Sequence, residues 1–152
     1  MAASVVVRRA VAADAVAIEA LYRQLVANPA VQVLPERVAE LAAESATRLL
    51  VADHQGQVCG TLLLSLCADV MFGRQPFAVI ENIVVDAAHR GSGIGSRLLR
   101  HAESLCVDAG CSKIMLTSAA GRAEAHRFFE QQGFDGAAKR GFVKYRRQFA
   151  AL

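Results

Sequence analysis

One stretch constrains the fold of this chain more than any other, His89-Arg90-Gly91-Ser92-Gly93-Ile94-Gly95-Ser96. It follows the apolar run Phe77 to Val85, which predicts a strand, and it precedes Arg97 to Ala109, where apolar residues recur at helical spacing. A strand that ends in a glycine-rich turn and continues as a helix gathers unpaired backbone N–H groups at the positive end of the helix dipole. The stretch therefore predicts an anion-binding turn between a central strand and a helix.

The N-terminal segment predicts a strand and two helices. Val5 to Arg8 is short and β-branched, and Asp14 is a residue type that favours helix N-caps. Asn28-Pro29 ends the helix that Asp14 opens, because a residue before proline disfavours helical geometry. Pro35 suits the first turn of a second helix. The intervening loop, Asn28 to Leu34, is a candidate rim for a substrate site.

Four further segments predict the sheet. Arg48 to Ala52 and Val58 to Cys67 are joined by the polar, glycine-containing connection Asp53 to Gln57, which is typical of a hairpin. Phe77 to Val85 is expected to add a third antiparallel strand. Gly110 closes the helix that follows the glycine turn. Lys113 to Thr117 then predicts a strand that lies parallel to Phe77 to Val85, to which it is connected by a right-handed crossover.

The C-terminal part predicts a fourth helix and two closing strands. The helix covers about Ala123 to Gln132 and stops at Gly133, while Phe134 and the segment Gly141 to Phe149 have strand-like composition. The whole pattern indicates an α/β (α+β) fold. We expect a mixed, mostly antiparallel sheet of six or seven strands, flanked by about four helices, in one domain that spans 1–152.

Composition narrows the class of protein. The 152 residues are 54% apolar, enough for one buried core, and no apolar run approaches the roughly 20 residues of a membrane helix. We expect a cytoplasmic, soluble protein without a signal peptide, a membrane partner or a nucleic-acid partner. The cysteines lack CxxC or zinc spacing, which indicates reduced thiols and no metal site. They are Cys59, Cys67, Cys106 and Cys111.

Two common phosphate-binding motifs do not fit the glycine turn. A P-loop needs a Gly-Lys-Ser/Thr ending, and no lysine stands between Arg74 and Lys113. A dinucleotide fingerprint could start at Gly91 and Gly93, but Ser96 occupies the place of its third glycine. The preceding hairpin is also the wrong context for that motif. A different phosphate-containing ligand is therefore expected.

Three ordered segments resemble the GCN5-related N-acetyltransferases (GNAT family). Arg90 to Gly95 matches the signature Arg/Gln-x-x-Gly-x-Gly/Ala between a mid-chain strand and a helix. Val7 to Ala10, with Asp14, looks like the opening of that family. Ala125 to Phe129, continued to Gly133-Phe134, is similar to its C-terminal A-x-x-F-Y-x-x-x-G-F segment. The resemblance implies an acetyltransferase that uses acetyl-CoA as cosubstrate.

The resemblance also implies which groups hold coenzyme A. The backbone N–H groups of the glycine turn would donate hydrogen bonds to the pyrophosphate. The strand before the turn splays from its neighbour in this family, and its backbone pairs with the pantetheine arm like an added strand. The implied cofactor-binding residues are Ile83, Val84, Val85, Arg90, Gly91, Ser92, Gly93, Ile94, Gly95, Ser96 and Phe129.

Glu81 is the candidate general base. Acetyl transfer needs a neutral amine and a place for its proton, and Glu81 is the one carboxylate within Phe77 to Val85. It acts directly or through water if the resemblance holds. The alternative is a carboxylate that only pairs with a neighbouring charge.

The usual general acid of the family that this chain resembles is absent, because Phe129 stands where many family members have a tyrosine. Phenylalanine has no proton to give to the leaving thiolate. Tyr145 is the candidate replacement, with Tyr22, Ser118, bound water or unassisted departure as alternatives. His126, Arg122 and Glu124 could meet the acceptor or only solvent.

The predicted function is transfer of an acetyl group to a primary amine, of a small molecule, by direct attack in a ternary complex. One alternative is a non-catalytic coenzyme A-binding sensor or interaction module. Another is a protein N-terminal or lysine acetyltransferase. The basic end that follows Asp135 is expected to be a solvated face rather than a nucleic-acid site. A homodimer is a further expectation from the family.

Overall fold

The computed structural model describes residues 4–150. It has five strands and four α-helices, and these elements form two compact units that divide between Leu116 and Thr117. In chain order the elements are β1 (Val5–Arg9), α1 (Ala15–Leu25), α2 (Pro35–Ala42), β2 (Thr47–His54), β3 (Gln57–Cys67), β4 (Phe77–Val85), α3 (Ile94–Ala109), β5 (Ile114–Leu116) and α4 (Ala123–Gln131).

All five strands form one sheet in the order β1-β2-β3-β4-β5. The first three pairings are antiparallel, and β4 pairs with β5 in parallel. β2 and β3 are joined by two residues, Gln55 and Gly56, which both have positive φ, as a type I′ hairpin requires. The predicted connection Asp53 to Gln57 was therefore too long.

The two faces of the sheet carry different helices. Leu49 and Val51 point to one face, where they pack in a cluster with Ile18 of α1 and Val38 of α2. Gly60 of β3 points to the other face, towards α3. This arrangement places α1 and α2 opposite α3 in the first unit.

The mixed, mostly antiparallel α/β fold is confirmed, but the number of strands was wrong. Within residues 4–150 neither Phe134 nor the segment Gly141 to Phe149 is a strand, so the sheet has five strands rather than six or seven. Every residue of Gly141 to Phe149 is exposed. The aromatic side chains of this segment therefore do not pack on a buried surface, as those of a closing strand would. The chain also curls there into a single 3-10 turn, Arg146–Gln148.

One predicted helix start is confirmed and another differs from the structure. α3 begins at Ile94 rather than Arg97, because Gly93 in the turn itself is the N-cap. Asp14 is the N-cap residue of α1, as predicted, but its side chain makes no capping hydrogen bond to that helix. Its carboxylate instead accepts hydrogen bonds from the Val11 N–H (2.8 Å) and from the Arg8 guanidinium (2.8 and 3.0 Å). Arg8 also bonds Asp53 at 3.1 Å, which ties β1, the start of α1 and β2 together.

Candidate active site

The glycine turn has the backbone that an anion site requires. Gly91 and Gly93 have φ of 80° and 82°, a region that L-residues rarely adopt. An added Cβ at either position would meet no atom within 4 Å, so the space in front of the turn is open. The N–H groups of the first turn of α3 have no partner within the helix. The turn therefore presents backbone donors to open space, and Ile94 and Gly95 lie in that first helical turn.

Short contacts shape the entrance to the turn. The Ser92 hydroxyl donates to the His89 carbonyl, and the Arg90 Nε–H donates to the Val85 carbonyl at 3.3 Å. Arg90 thus bridges the end of β4 and the turn, and its side chain remains exposed. The Val85 carbonyl, one of the backbone groups predicted to meet the cosubstrate, already accepts this bond.

Gly60 allows α3 to pack closely against the sheet. A Cβ at this position would lie 3.1 Å from Ile94 Cγ2, 3.1 Å from Leu98 Cδ1 and 3.3 Å from the Val84 carbonyl oxygen. These distances are tighter than ordinary van der Waals contact. The start of α3, and with it the glycine turn, can approach β3 this closely because residue 60 has no side chain.

β4 leaves β5 halfway along its length. The parallel pairing covers only Ala78 to Ile80, opposite Ile114 to Leu116. Beyond Ile80, β4 pairs with β3 alone among residues 4–150, so the other backbone edge of Ile83 to Val85 has no strand beside it. Val84 is buried, whereas Ile83 and Val85 are half-buried. The predicted splay is present, and it leaves backbone groups available for an extended ligand.

A β-bulge interrupts the pairing of β3 with β4, close to the point where β4 parts from β5. The β3–β4 register shifts between Thr61 and Leu63, and Asn82 has a φ of 55°. The side-chain amide of Asn82 lies at the hydroxyl of Tyr22 on α1, where it lowers the pKa of that hydroxyl, but burial of Tyr22 outweighs this and raises the pKa overall. Tyr22 therefore keeps its proton at neutral pH and touches β4 beside Glu81.

Glu81 lies on the α1 and α2 face of the sheet. It is directly opposite Leu63 on β3, and Leu63 is directly opposite Leu49 on β2. Residues that pair in this way project from the same face with Cβ atoms about 5 Å apart. The Glu81 side chain is exposed, and within residues 4–150 it forms no ion pair or hydrogen bond. The alternative of a carboxylate paired with a neighbouring charge thus has no partner in the described part of the chain.

A cleft of about 220 Å³ opens on this same face. It is bounded by α1, α2 and the loop between them, and its floor includes Leu49 and Leu63. Three residues of the predicted rim, Gln32, Val33 and Leu34, line it. The row from Leu49 through Leu63 to Glu81 therefore connects the cleft to the bulge in β4.

A hydrogen-bonded contact between α1 and the end of β4 could not be seen in the sequence. The Gln24 Nε2–H donates to Asp86 at 2.9 Å, and the Gln24 Oε1 accepts from the Ala87 N–H at 2.9 Å. Asp86 also bonds the His89 ring at 3.1 Å. Gln24, then His89, hold the pKa of Asp86 below its ordinary value. Nothing in the sequence relates Gln24 to residues 62 positions away.

A wider groove of about 590 Å³ carries positive charge next to the glycine turn. It is lined by Gly93 and Ser96 and by the basic side chains of Arg97, Arg100 and His101. One Arg97 N–H bonds the Val5 carbonyl at 3.3 Å, which joins α3 to β1. This charge favours anions near the start of α3.

The second unit contains the C-terminal candidates. Phe129 is buried, with its ring centroid 5.4 Å from that of Phe128 and 6.2 Å from that of Phe134. His126 Nε2 lies 2.8 Å from the Ala119 carbonyl, which gives this histidine a local partner. Tyr145 is exposed, and the Arg147 guanidinium lies 4.9 Å from the centre of its ring. The Ser118 hydroxyl is buried without a hydrogen-bond partner among residues 4–150.

Other classes of site receive no support from the described residues. Residues 4–150 contain no group of three or more His, Cys, Asp or Glu side chains placed to hold a metal ion. No helix in that range is both long and apolar enough to cross a membrane. All four cysteines are free thiols; Cys59 and Cys106 are buried, and Cys67 and Cys111 are half-buried.

Residues 18–134 match the sequence profile of the Acetyltransferase (GNAT) family. This range covers most of the chain, and the chain belongs to that family. A protein from Agrobacterium tumefaciens str. C58, provisionally named an acetyltransferase, has a solved structure with a TM-score of 0.83 and 29% identity. The match covers 93% of this chain and 99% of that one.

Two relatives have a substrate in their names. The glucosamine 6-phosphate N-acetyltransferase of Trypanosoma brucei brucei is 27% identical over 88 residues, which are 58% of this chain and 58% of that protein. The chain thus matches little more than half the length of this curated relative. The crystal structure of glucosamine-6-phosphate N-acetyltransferase from Arabidopsis thaliana is similar in fold, with a TM-score of 0.80 and 20% identity over 94% of this chain and 99% of that one.

Proposed function

We propose that the protein is an acetyl-CoA-dependent N-acetyltransferase, formed by a single domain, that acts on a small primary amine by direct attack in a ternary complex. The observation that carries this proposal is the open backbone edge of β4 beside a positive-φ glycine turn. These two features offer a strand-like arm and a pyrophosphate separate sets of backbone donors in one unit. Membership of the GNAT family supports the same ligand.

The donor side fits coenzyme A on structural grounds. Gly91 and Gly93 leave open space where the pyrophosphate would lie, and the first turn of α3 supplies N–H groups. The free edge at Ile83 and Val84 would pair with the pantetheine arm. Arg90 would hold the end of β4 against the turn rather than serve only as a charge for the phosphates.

On the acceptor side, Glu81 receives the proton. Its side chain is exposed beside the cleft and free of other ion pairs among the described residues, so it can accept a proton from an amine or from an intervening water. The amine nitrogen forms a bond to the acetyl carbonyl carbon, the carbon–sulfur bond breaks with its electron pair on sulfur, and the nitrogen loses one proton to Glu81. The thiolate then takes up a proton, so an amide and a free thiol are the products.

Tyr145 and Tyr22 are the candidate sources of that last proton. Tyr145 remains the prediction from the sequence, and this residue is exposed. Tyr22 is supported by its position beside the bulge and by the burial that raises its pKa, which keeps the phenol protonated until needed. Phe129 cannot supply a proton and is proposed only to contact the cosubstrate.

A thiol-release assay over a panel of primary amines tests the proposal. We expect release of coenzyme A that depends on both acetyl-CoA and an amine, with the acetylated amine identified by mass spectrometry. Tight binding of coenzyme A without turnover of any amine would instead favour a non-catalytic binding module. Acetylation of peptides in preference to free amines would favour a protein acetyltransferase.

A further inference from the structure

We propose that the cleft on the α1 and α2 face receives the apolar body of the acceptor, so that the preferred substrates are small primary amines with an alkyl or aryl chain. This inference rests on the proposed function and specifies its substrate class. It differs from the sugar phosphate in the names of the relatives.

The lining of the cleft is mainly aliphatic. Of its ten lining residues in the described part of the chain, seven are Val, Leu or Ile. Ile18, Val38 and Leu49 are buried in the core, so a ligand does not reach them. Four lining residues keep accessible aliphatic surface, and these are Val33, Leu34, Leu41 and Leu63. The volume of about 220 Å³ is below the roughly 300–1,000 Å³ of sites for drug-sized ligands. A short alkyl or single-ring body is therefore the appropriate size.

The cleft offers a phosphate little positive charge, because its polar lining residues besides Arg37 are the neutral Tyr22 and Gln32. Arg37 is the one charged residue among the ten described lining residues, and it already pairs with Glu40 at 2.7 Å. Both partners are more than half exposed, so solvent screens what charge remains. A phosphate dianion would have to exchange its water for aliphatic surface, which is unfavourable.

Hydrogen bonds hold the rim of the cleft in place. The Glu19 carboxylate accepts from the Val33 N–H at 2.9 Å, and Arg23 donates to the Val31 carbonyl at 3.1 Å. Both side chains belong to α1, so the loop is fastened to the helix that forms one wall. A fixed rim reduces the ordering that binding requires, and the cleft can select by shape.

The position of the cleft matches the chemistry. Leu63 on its floor is directly opposite Glu81, so a chain that lies over Leu63 brings its terminal nitrogen towards the carboxylate. Aliphatic surroundings also disfavour the ammonium form of the amine and lower its pKa. The same surface that binds the body of the acceptor therefore helps to produce the neutral nitrogen that can react.

A series of straight-chain amines from propylamine to hexylamine tests this proposal, because the basicity of the nitrogen hardly changes along it. We expect kcat/KM in the thiol-release assay to rise roughly fourfold for each added methylene until the cleft is full. We also expect hexylamine to exceed glucosamine 6-phosphate. A flat series, or a preference for glucosamine 6-phosphate, overturns the proposal while leaving the acetyltransferase function intact.

Two variants and a control assign the effect to the cleft. Leu63→Phe fills the floor and should lower kcat/KM for hexylamine roughly tenfold, the scale on which apolar pockets discriminate small changes. Propylamine should be less affected. Val33→Phe narrows the rim and serves if the first variant does not fold. Val16→Phe adds the same ring on α1 at a position that is 81% exposed and outside the cleft, so the series should not change.

Binding measured by calorimetry in the presence of coenzyme A separates this proposal from the proposed function. If no amine is acetylated but hexylamine still binds more tightly than propylamine, the function fails and the specificity of the cleft stands. If neither turnover nor binding depends on chain length in the wild type, the proposal is wrong.

Discussion

The two sides of the candidate site present different groups, backbone atoms on one side and side chains on the other. The donor side, the glycine turn and the free edge of β4, presents backbone groups, and its sequence requirement is mainly that Gly91 and Gly93 have no side chains. The acceptor side, the cleft and Glu81, presents side chains from α1, α2, β2, β3 and β4. Backbone donors recognise a pyrophosphate whatever the surrounding sequence, whereas a side-chain cleft changes with each substitution.

Because of this difference, similarity to relatives is informative about the donor side and uninformative about the acceptor. The match over residues 18–134 includes the donor side, where we propose that the backbone binds the cosubstrate. The names of relatives at 27% and 20% identity carry no argument for the acceptor side, where the side chains decide. Four changes test whether the two sides behave as differently as their construction indicates.

The largest effect is expected from Glu81→Gln on the acceptor side. Removing a general base lowers turnover by about 10²–10⁴-fold, while the affinity for coenzyme A should stay near the wild-type value because the donor side is backbone. Steady-state kinetics across pH, with calorimetry for the affinity, measure both. Glu103→Gln, an exposed glutamate on α3, is the matched control. Unchanged turnover at every pH would remove Glu81 from the mechanism.

Asp14→Asn tests the anchor of α1, the helix that carries part of the cleft. The Arg8 guanidinium holds the pKa of Asp14 below its ordinary value, and the side chain of Asp14 is only 8% exposed. We expect the free energy of unfolding at pH 7 to fall by about 2–3 kcal/mol, the value of charged hydrogen bonds. Urea denaturation measures this, with the exposed Asp108→Asn as control.

The pH dependence of that difference has a defined sign. A carboxylate whose pKa is depressed in the folded state stabilises the protein above its unfolded pKa of about 3.9. The stabilisation is lost as the pH falls towards the folded pKa. The gap between wild type and Asp14→Asn should therefore be constant from about pH 7 to 5 and narrow below about pH 4. A gap that stays constant at lower pH would mean that the Arg8 contact does not depend on the charge of Asp14.

Gly93→Ala tests the donor side. Alanine at a φ of 82° is strained by roughly 1–2 kcal/mol, and we expect the free turn to relieve this strain by leaving the conformation that binds the ligand. Binding would then have to restore that conformation, so the dissociation constant for coenzyme A should rise about five- to thirtyfold, with kcat at saturation little changed. Gly73→Ala is a matched control, because Gly73 also has a positive φ of 68° with no atom near its missing Cβ. Both variants should lose stability, but only Gly93→Ala should lose affinity. Equal affinities would show that the turn does not hold the ligand.

Gln24→Ala asks whether the two sides are independent. Gln24 lies on α1 of the acceptor side but bonds Asp86 and Ala87 at the entrance to the glycine turn. Loss of these hydrogen bonds, each of about 0.5–1.5 kcal/mol, should raise the KM for acetyl-CoA a few-fold. The KM for the amine should change less. The exposed Gln131→Ala is the control, and a change in the amine KM alone would contradict a role in positioning the turn.

The sequence predicts the donor side well because local rules govern it. Alternating glycines between a strand and a helix predict positive φ, and Gly91 and Gly93 have it. The helix start was misplaced at Arg97, since periodicity appears only once several apolar residues have accumulated and cannot show that Gly93 is the N-cap. The parting of β4 from β5 was expected from the resemblance to the family rather than from periodicity.

The acceptor side and the C-terminal segment were less predictable for physical reasons. Contacts such as Leu49 with Leu63, or Gln24 with Asp86, depend on strand register and helix rotation, which no local pattern encodes. Gly141 to Phe149 has the aromatic content of a strand, but strand propensity largely reflects packing against neighbours. In the described structure this segment is exposed, so its composition alone could not make it a strand.

A strand edge left open inside a sheet is also a risk to solubility, because it can recruit any extended chain. Within residues 4–150, the stretch from Glu81 to Val85 has such an edge wherever β5 does not cover it. The cosubstrate would then act as a protective cap, and a ligand at a hundredfold its dissociation constant adds about 2.7 kcal/mol of stability. Coenzyme A in the storage buffer should thus raise the melting temperature and slow aggregation, as followed by light scattering.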